Sequence, residues 1–134
     1  MKQIGIWLDK RNAIIVELNG SKEIVRHIVS EVDEGNIRGG SRSSSPHGPQ
    51  DVISEKHVLE KRKHQLKKYY NALINNVKNA DELLIMGPAY TKNAFFQEIS
   101  SNEDLGKKKV FLEIADSMTV PQLKAKVRSY FNKN

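Results

Sequence analysis

Apolar residues at 3 to 9 recur at every second position and two β-branched runs follow, whereas from position 52 onward stripes at helical spacing alternate with two short apolar runs. Period two demands a sheet and period 3.6 a helix with one buried face, so the change of period restricts the fold more than any single residue does. Residues 3 to 9 (QIGIWLD) place Ile4, Ile6 and Leu8 on one face and Gly5 and Trp7 on the other. Residues 13 to 18 (AIIVEL) form a second β-branched run, separated from the first by the turn-forming Lys10-Arg11-Asn12. Asn19-Gly20-Ser21 marks the next turn and Glu23 to Val32 a third strand, which predicts an antiparallel meander.

A long helix is predicted from about Val52 to Lys78. Val52, Leu59, Leu66, Tyr70, Leu73 and Val77 share a stripe expected to pack on the sheet, and His57, Lys61, His64 and Lys68 form the ridge opposite. ELLIM at 82 to 86 reads as a buried strand ended by Gly87-Pro88, with Pro88 at the first position of a helix over 89 to 100 whose Ala94, Phe95 and Ile99 face inward. Residues 102 to 106 close that helix, and Lys109 to Ala115 form another strand. Thr119-Val120-Pro121-Gln122 is a capping box opening a last helix, with Leu123, Val127, Tyr130 and Phe131 at helical spacing. The order βββ-α-β-α-β-α predicts an α/β domain: a mixed sheet of about five strands, three helices packed on it, and late strands made parallel by right-handed crossovers. At 134 residues the chain reads as a single domain, 1–134, without internal repeats.

The net charge is +6, and its location matters more than its size. Residues 35 to 80 hold nine Lys and Arg against Asp51, Glu55 and Glu60, which accounts for the whole excess. That stretch begins with GNIRGGSRSSSPHGPQ, the core of a flexible loop at 34–50. A loop of this length in a small domain is either functional or disordered. Gly39 and Gly40 permit close backbone approach, Arg38 and Arg42 flank them with charge suited to phosphate, and the serines add mobility. A polyanion-facing surface made of loop and ridge follows as the expectation. There is no cysteine, so no disulfide or thiolate site arises, and the start MKQIGIWLDK is too short in apolar residues for a signal peptide or membrane span. A cytoplasmic, soluble protein is expected.

The element order, RGGS at 38 to 41, the basic helix VLEKRKHQLKKYYNALINN and the turn LLIMGPAYTKNAF together resemble the middle domain of eukaryotic and archaeal class-1 peptide release factors and the related Pelota and bacterial release-factor-like proteins. In that domain a loop with Gly-Gly-Gln precedes a long basic helix, and a later strand ends in a glycine turn with a lysine four or five residues on. Gly39 and Gly40 match the two glycines, and Gly87 with Lys92 matches the turn, over about residues 3 to 131. Position 41 is Ser where the hydrolytic members have Gln, so the resemblance implies loss of peptide release, and the codon-reading and third domains of those factors have no counterpart here. It implies a ribonuclease-H-like, translational-machinery-component-like topology and a stand-alone relative that contacts ribosomal RNA or tRNA. The Gly-Gly-Gln-like residues Gly39, Gly40 and Ser41, with Arg38, Arg42, His57, Lys61, His64 and Lys68, would carry that contact.

Other chemistries are weighed beside this one. Asp9, ending the first strand, with Glu113 and Asp116, invites a ribonuclease-H-like nuclease, since such enzymes gather carboxylates around Mg²⁺. A weak peptidyl-tRNA hydrolase using the glycine loop is the other enzymatic alternative. Asp9 also fits a turn cap, and Glu113 alternates with Leu112 and Ile114 as an exposed strand residue does. His57 and His64 lie roughly 10 Å apart along a helix, too far to share one ion, and His27 and His47 fall on other elements, so no metal is expected. MGPAYTK lacks the Gly-Lys-Ser/Thr ending of a phosphate loop, and Trp7, Phe95 and Phe96 read as packing aromatics; no cofactor is expected.

Overall fold

The computed structural model describes residues 1–30, 48–102 and 108–132. Strands β1 (Lys2–Leu8), β2 (Asn12–Asn19) and β3 (Lys22–Val29) are followed by helix α1 (Gly48–Val77), strand β4 (Glu82–Gly87), helix α2 (Ala89–Ser100), strand β5 (Lys109–Ile114) and helix α3 (Val120–Asn132). The five strands form one sheet in the order β3-β2-β1-β4-β5. The meander β1-β2-β3 is antiparallel, and β4 pairs parallel to both β1 and β5. This is the α/β fold with a mixed five-stranded sheet and three helices that the change of period predicts.

The alternation in β1 sorts the core into two layers. Ile4, Ile6 and Leu8, with Ala13, Ile15, Leu83 and Ile85, pack under α1 and α2 through Tyr69, Tyr70, Leu73, Val77, Phe95 and Ile99. On the other face Trp7, Val16, Leu18, Leu84 and Met86 meet Leu123, Val127 and Phe131 of α3. Gly5 belongs to this second face because the methyls of Val127 fill the space where a Cβ would lie. The start of α3 is held by the expected reciprocal pair: the Gln122 amide donates to Thr119 Oγ1 at 3.3 Å, and the Thr119 amide donates to Gln122 Oε1 at 3.0 Å.

Several boundaries differ from the sequence reading. Helix α1 begins at Gly48, earlier than Val52, because Pro49 within a first turn has no N–H that would need a partner. The third strand ends at Val29 and the fifth at Ile114, while Pro88 is the N-cap of α2 rather than its first residue. Leu59, expected in the packing stripe, is 56% exposed; Leu66 is half-buried against the core, and from His57 onward the first fully buried residue of α1 is Tyr69. Length explains this: thirty helical residues span about 45 Å, whereas the seven residues of β1 span about 23 Å, so the sheet cannot cover the whole helix. The side chain of Val52 lies outside the described residues.

Where the sheet is long enough, the helix is tied down at both ends of the overlap. Arg26 on β3 forms an ion pair with the buried Glu17 at 2.9 Å and reaches the Asn76 carbonyl near the end of α1 at 3.4 Å. At the other end the Tyr69 hydroxyl donates to the Asp9 carbonyl at 3.1 Å. Leu66 still packs against the core, so it is the part of α1 before about Gln65 that extends past the sheet beside the β1–β2 turn.

Candidate functional site

The β1–β2 turn is built around Asp9. Its Oδ1 accepts the amides of Arg11 and Asn12, each at 2.8 Å, and its own amide donates to the Asn12 carbonyl at 3.0 Å. The carboxylate thus acts as the turn cap, and Lys10 and Arg11 are displayed at the tip. Glu113 pairs with Lys126 of α3 at 2.6 Å, and among the described residues no three His, Asp or Glu side chains are grouped to hold a metal ion. Asp9 and Glu113 are thus each engaged with other groups.

The ridge predicted on α1 is exposed: His57, Lys61, His64 and Lys68 all face solvent, as do Lys63 and Lys67. No ion pair joins Lys61, Lys63 or Lys67 to another described residue, although the exposed Glu60 shares their segment. Among the described residues, several cations elsewhere are paired with carboxylates, while Lys10 and Arg11 of the β1–β2 turn are not. On α3, Lys124 and Arg128 both bind Glu23, at 3.5 and 2.6 Å, and Lys126 binds Glu113; Arg128's hydrogen bond in particular holds the Glu23 carboxyl below its usual range. Lys2 and Arg26 share Glu17. Positive potential is therefore left standing on the overhanging part of α1, where Coulomb attraction to a polyanion is least cancelled. Arg38, Gly39, Gly40, Ser41, Arg42 and His47, and with them residues 34–47 of the loop expected at 34–50, lie outside the described residues, while 48–50, expected in that loop, are the first residues of α1.

The glycine turn after β4 has a definite geometric cause. Gly87 has φ +144°, and a Cβ there would run into the carbonyl oxygen of Leu8 on the neighbouring strand. Lys92, the lysine that follows it, is only 6% exposed, and its ammonium donates to Asn93 Oδ1 at 2.8 Å. It is a packed residue of α2, not part of the exposed ridge.

Two tyrosines lie beneath the root of the overhang. Burial pushes the Tyr69 phenol well above its ordinary range, with the Asp9 charge adding to the effect. Burial also pushes Tyr70 up to about 12, helped by Tyr90 and Glu98, and among the described residues its hydroxyl has no hydrogen-bond partner. The sequence reading missed Tyr90 itself. It is 70% exposed at the start of α2, and Lys10 Nζ stands 5.0 Å from its ring centroid. The one available signal was an aromatic residue in the first turn after Gly87-Pro88.

No known family's sequence profile matches the chain, and no curated protein matches it in sequence. Solved structures do match its fold. Pelota from Archaeoglobus fulgidus, described as showing inter-domain structural plasticity, aligns over 98% of this chain with a TM-score of 0.51 at 9% identity. An archaeal translation termination factor, aRF1, aligns over the same share with a TM-score of 0.39 at 14% identity. The chain spans 34% of the Pelota chain and 39% of the aRF1 chain. Among the described residues no helix is long and apolar enough to cross a membrane.

Proposed function

We propose that this chain is a release-factor-like domain that acts in translation by binding ribosomal RNA or tRNA. The contact is made by the α1 ridge His57, Lys61, His64 and Lys68 together with Arg38 and Arg42 beside Gly39, Gly40 and Ser41. The observation that carries the proposal is the row of exposed lysines Lys61, Lys63 and Lys67 on α1, none of which is joined by an ion pair to another described side chain. A helix freed from packing presents its charges to a groove or backbone that a flat surface cannot enter, and neutralising phosphates releases counterions. The fold likeness to Pelota agrees with the resemblance read in the sequence, and the two together bring translation into the proposal. Ser41 in place of Gln favours binding over hydrolysis.

The direct test is charge reversal. Lys61→Glu with Lys68→Glu should abolish co-sedimentation with ribosomes and binding to tRNA at low salt, while circular dichroism stays unchanged. Retained binding by that folded variant would remove the proposal's basis.

A further inference from the structure

The sheet reverses its direction of growth at β1, with β2 and β3 laid down on one side and β4 and β5 on the other. β1 and β4 end side by side, with Gly87 against the Leu8 carbonyl, and the turns that follow them meet at a corner of the fold. Three elements meet there: the β1–β2 turn, the start of α2, and α1 at Tyr69, whose hydroxyl anchors the Asp9 carbonyl. Lys10 and Arg11 stand at the tip of the turn, and neither forms an ion pair with another described residue. The Asp9 carboxylate is the nearest acidic group along the chain, and its Oδ1 is occupied by the turn's own amides. The Arg11 carbonyl accepts the Ser30 amide at 2.8 Å, and Ser30 lines a shallow groove with Val29, Lys68 and Tyr69. The corner is thus continuous with the α1 ridge through Lys68.

Tyr90 is the unusual member of this corner. A large aromatic ring left 70% exposed gains little from folding, and a lysine drawn over it at 5.0 Å leaves an aromatic surface within a cationic setting. That combination suits an unpaired nucleotide: the ring offers a stacking partner for any base, and adjacent cations meet the phosphates on either side of it. An acidic peptide would use the charges but would leave the ring without a role.

We infer that Tyr90, with Lys10 over its ring and Arg11 next to Lys10 in the same turn, is a stacking platform for an unpaired base of single-stranded RNA, placed beside the duplex or backbone gripped by α1. The inference rests on the RNA-binding reading of α1 and adds a second contact that recognises bases instead of phosphates.

The probe is an RNA hairpin with a four-nucleotide single-stranded tail, compared with the same hairpin whose tail is abasic, so that the number of phosphates is constant. Wild-type protein should bind the base-bearing tail roughly 5- to 150-fold more tightly than the abasic one, the range expected for loss of base–aromatic stacking. Tyr90→Ala should erase that difference without weakening binding to the abasic tail, and Tyr90→Phe should preserve it. Thermal unfolding of both variants should match wild type, because the ring is exposed. A Tyr90→Ala protein that keeps the preference, or a wild-type protein that shows none, overturns the inference; if Lys61→Glu with Lys68→Glu still abolishes binding, the reading of α1 survives it. Failure of wild-type protein to bind either hairpin at low salt overturns both, and a protein partner would then be the occupant to pursue.

Discussion

The carbonyl oxygen of Leu8 occupies the place where a side chain on Gly87 would begin, so β1 and β4 part at the one residue type that lets them approach so closely. Two costs coincide at this position. A φ of +144° is strained for any residue with a Cβ, and the obstructing atom is backbone, which cannot rotate away. Gly87→Ala should destabilise the fold by about 3 kcal/mol, read as a lower urea midpoint at unchanged m-value. An unchanged midpoint would mean that the strand end adjusts freely.

Alkaline pH should unfold the protein through its buried phenols. Tyr69 and Tyr70 hold their protons in the folded state to higher pH than in the unfolded chain, where tyrosine titrates near 10. The unfolded state therefore loses protons first, so this contribution is fully present below about pH 10 and declines as pH rises from there toward and beyond 12. Comparing urea unfolding at pH 8 and pH 11, Tyr69→Phe/Tyr70→Phe should lose less stability than wild type. At pH 8, Tyr70→Phe alone should be neutral or slightly stabilising, because it removes a buried hydroxyl without a partner among the described residues.

Amide exchange should divide α1 into two parts. From His57 to Lys68 no residue is buried, whereas Tyr69, Tyr70, Leu73, Ile74 and Val77 are locked into the core. The first part should exchange by local opening and the second only with global unfolding, giving protection that rises sharply after Lys68. Uniform protection along the helix would show that the overhang is covered in solution.

Salt dependence provides a quantitative check on the ridge. Every phosphate that a lysine neutralises contributes about 0.7 to 0.9 to the slope of log affinity against log salt, so Lys61→Ala should lower the slope by about that amount for RNA of any sequence. The same substitution on α3, Lys126→Ala, should leave the slope nearly unchanged, since that lysine is already paired with Glu113 at 2.6 Å.

Much of the site is legible in the amino-acid order alone. The ridge His57, Lys61, His64 and Lys68 follows from helical spacing, and all four residues are exposed. Asp9 can be read as a turn cap because an aspartate followed by Lys-Arg-Asn supplies an acceptor for amides two and three residues on. Leu59 misleads, because spacing records which face a residue occupies but not whether anything lies opposite. Tyr90 escapes notice for a related reason: its partner Lys10 is eighty positions away, on a different element.

The order of strands and helices, the two faces of β1 and the capping box at Thr119 and Gln122 can be read from the residue order, since each depends on residues within a few positions of one another. The place of β1 between β2 and β4, the reach of α1 past the sheet, and the packing of Lys92 while Lys61 stays exposed come from how the elements assemble. Those outcomes depend on distances between elements remote in the chain, where the length of a sheet and the closeness of two backbones, not local periodicity, determine which charges remain in water.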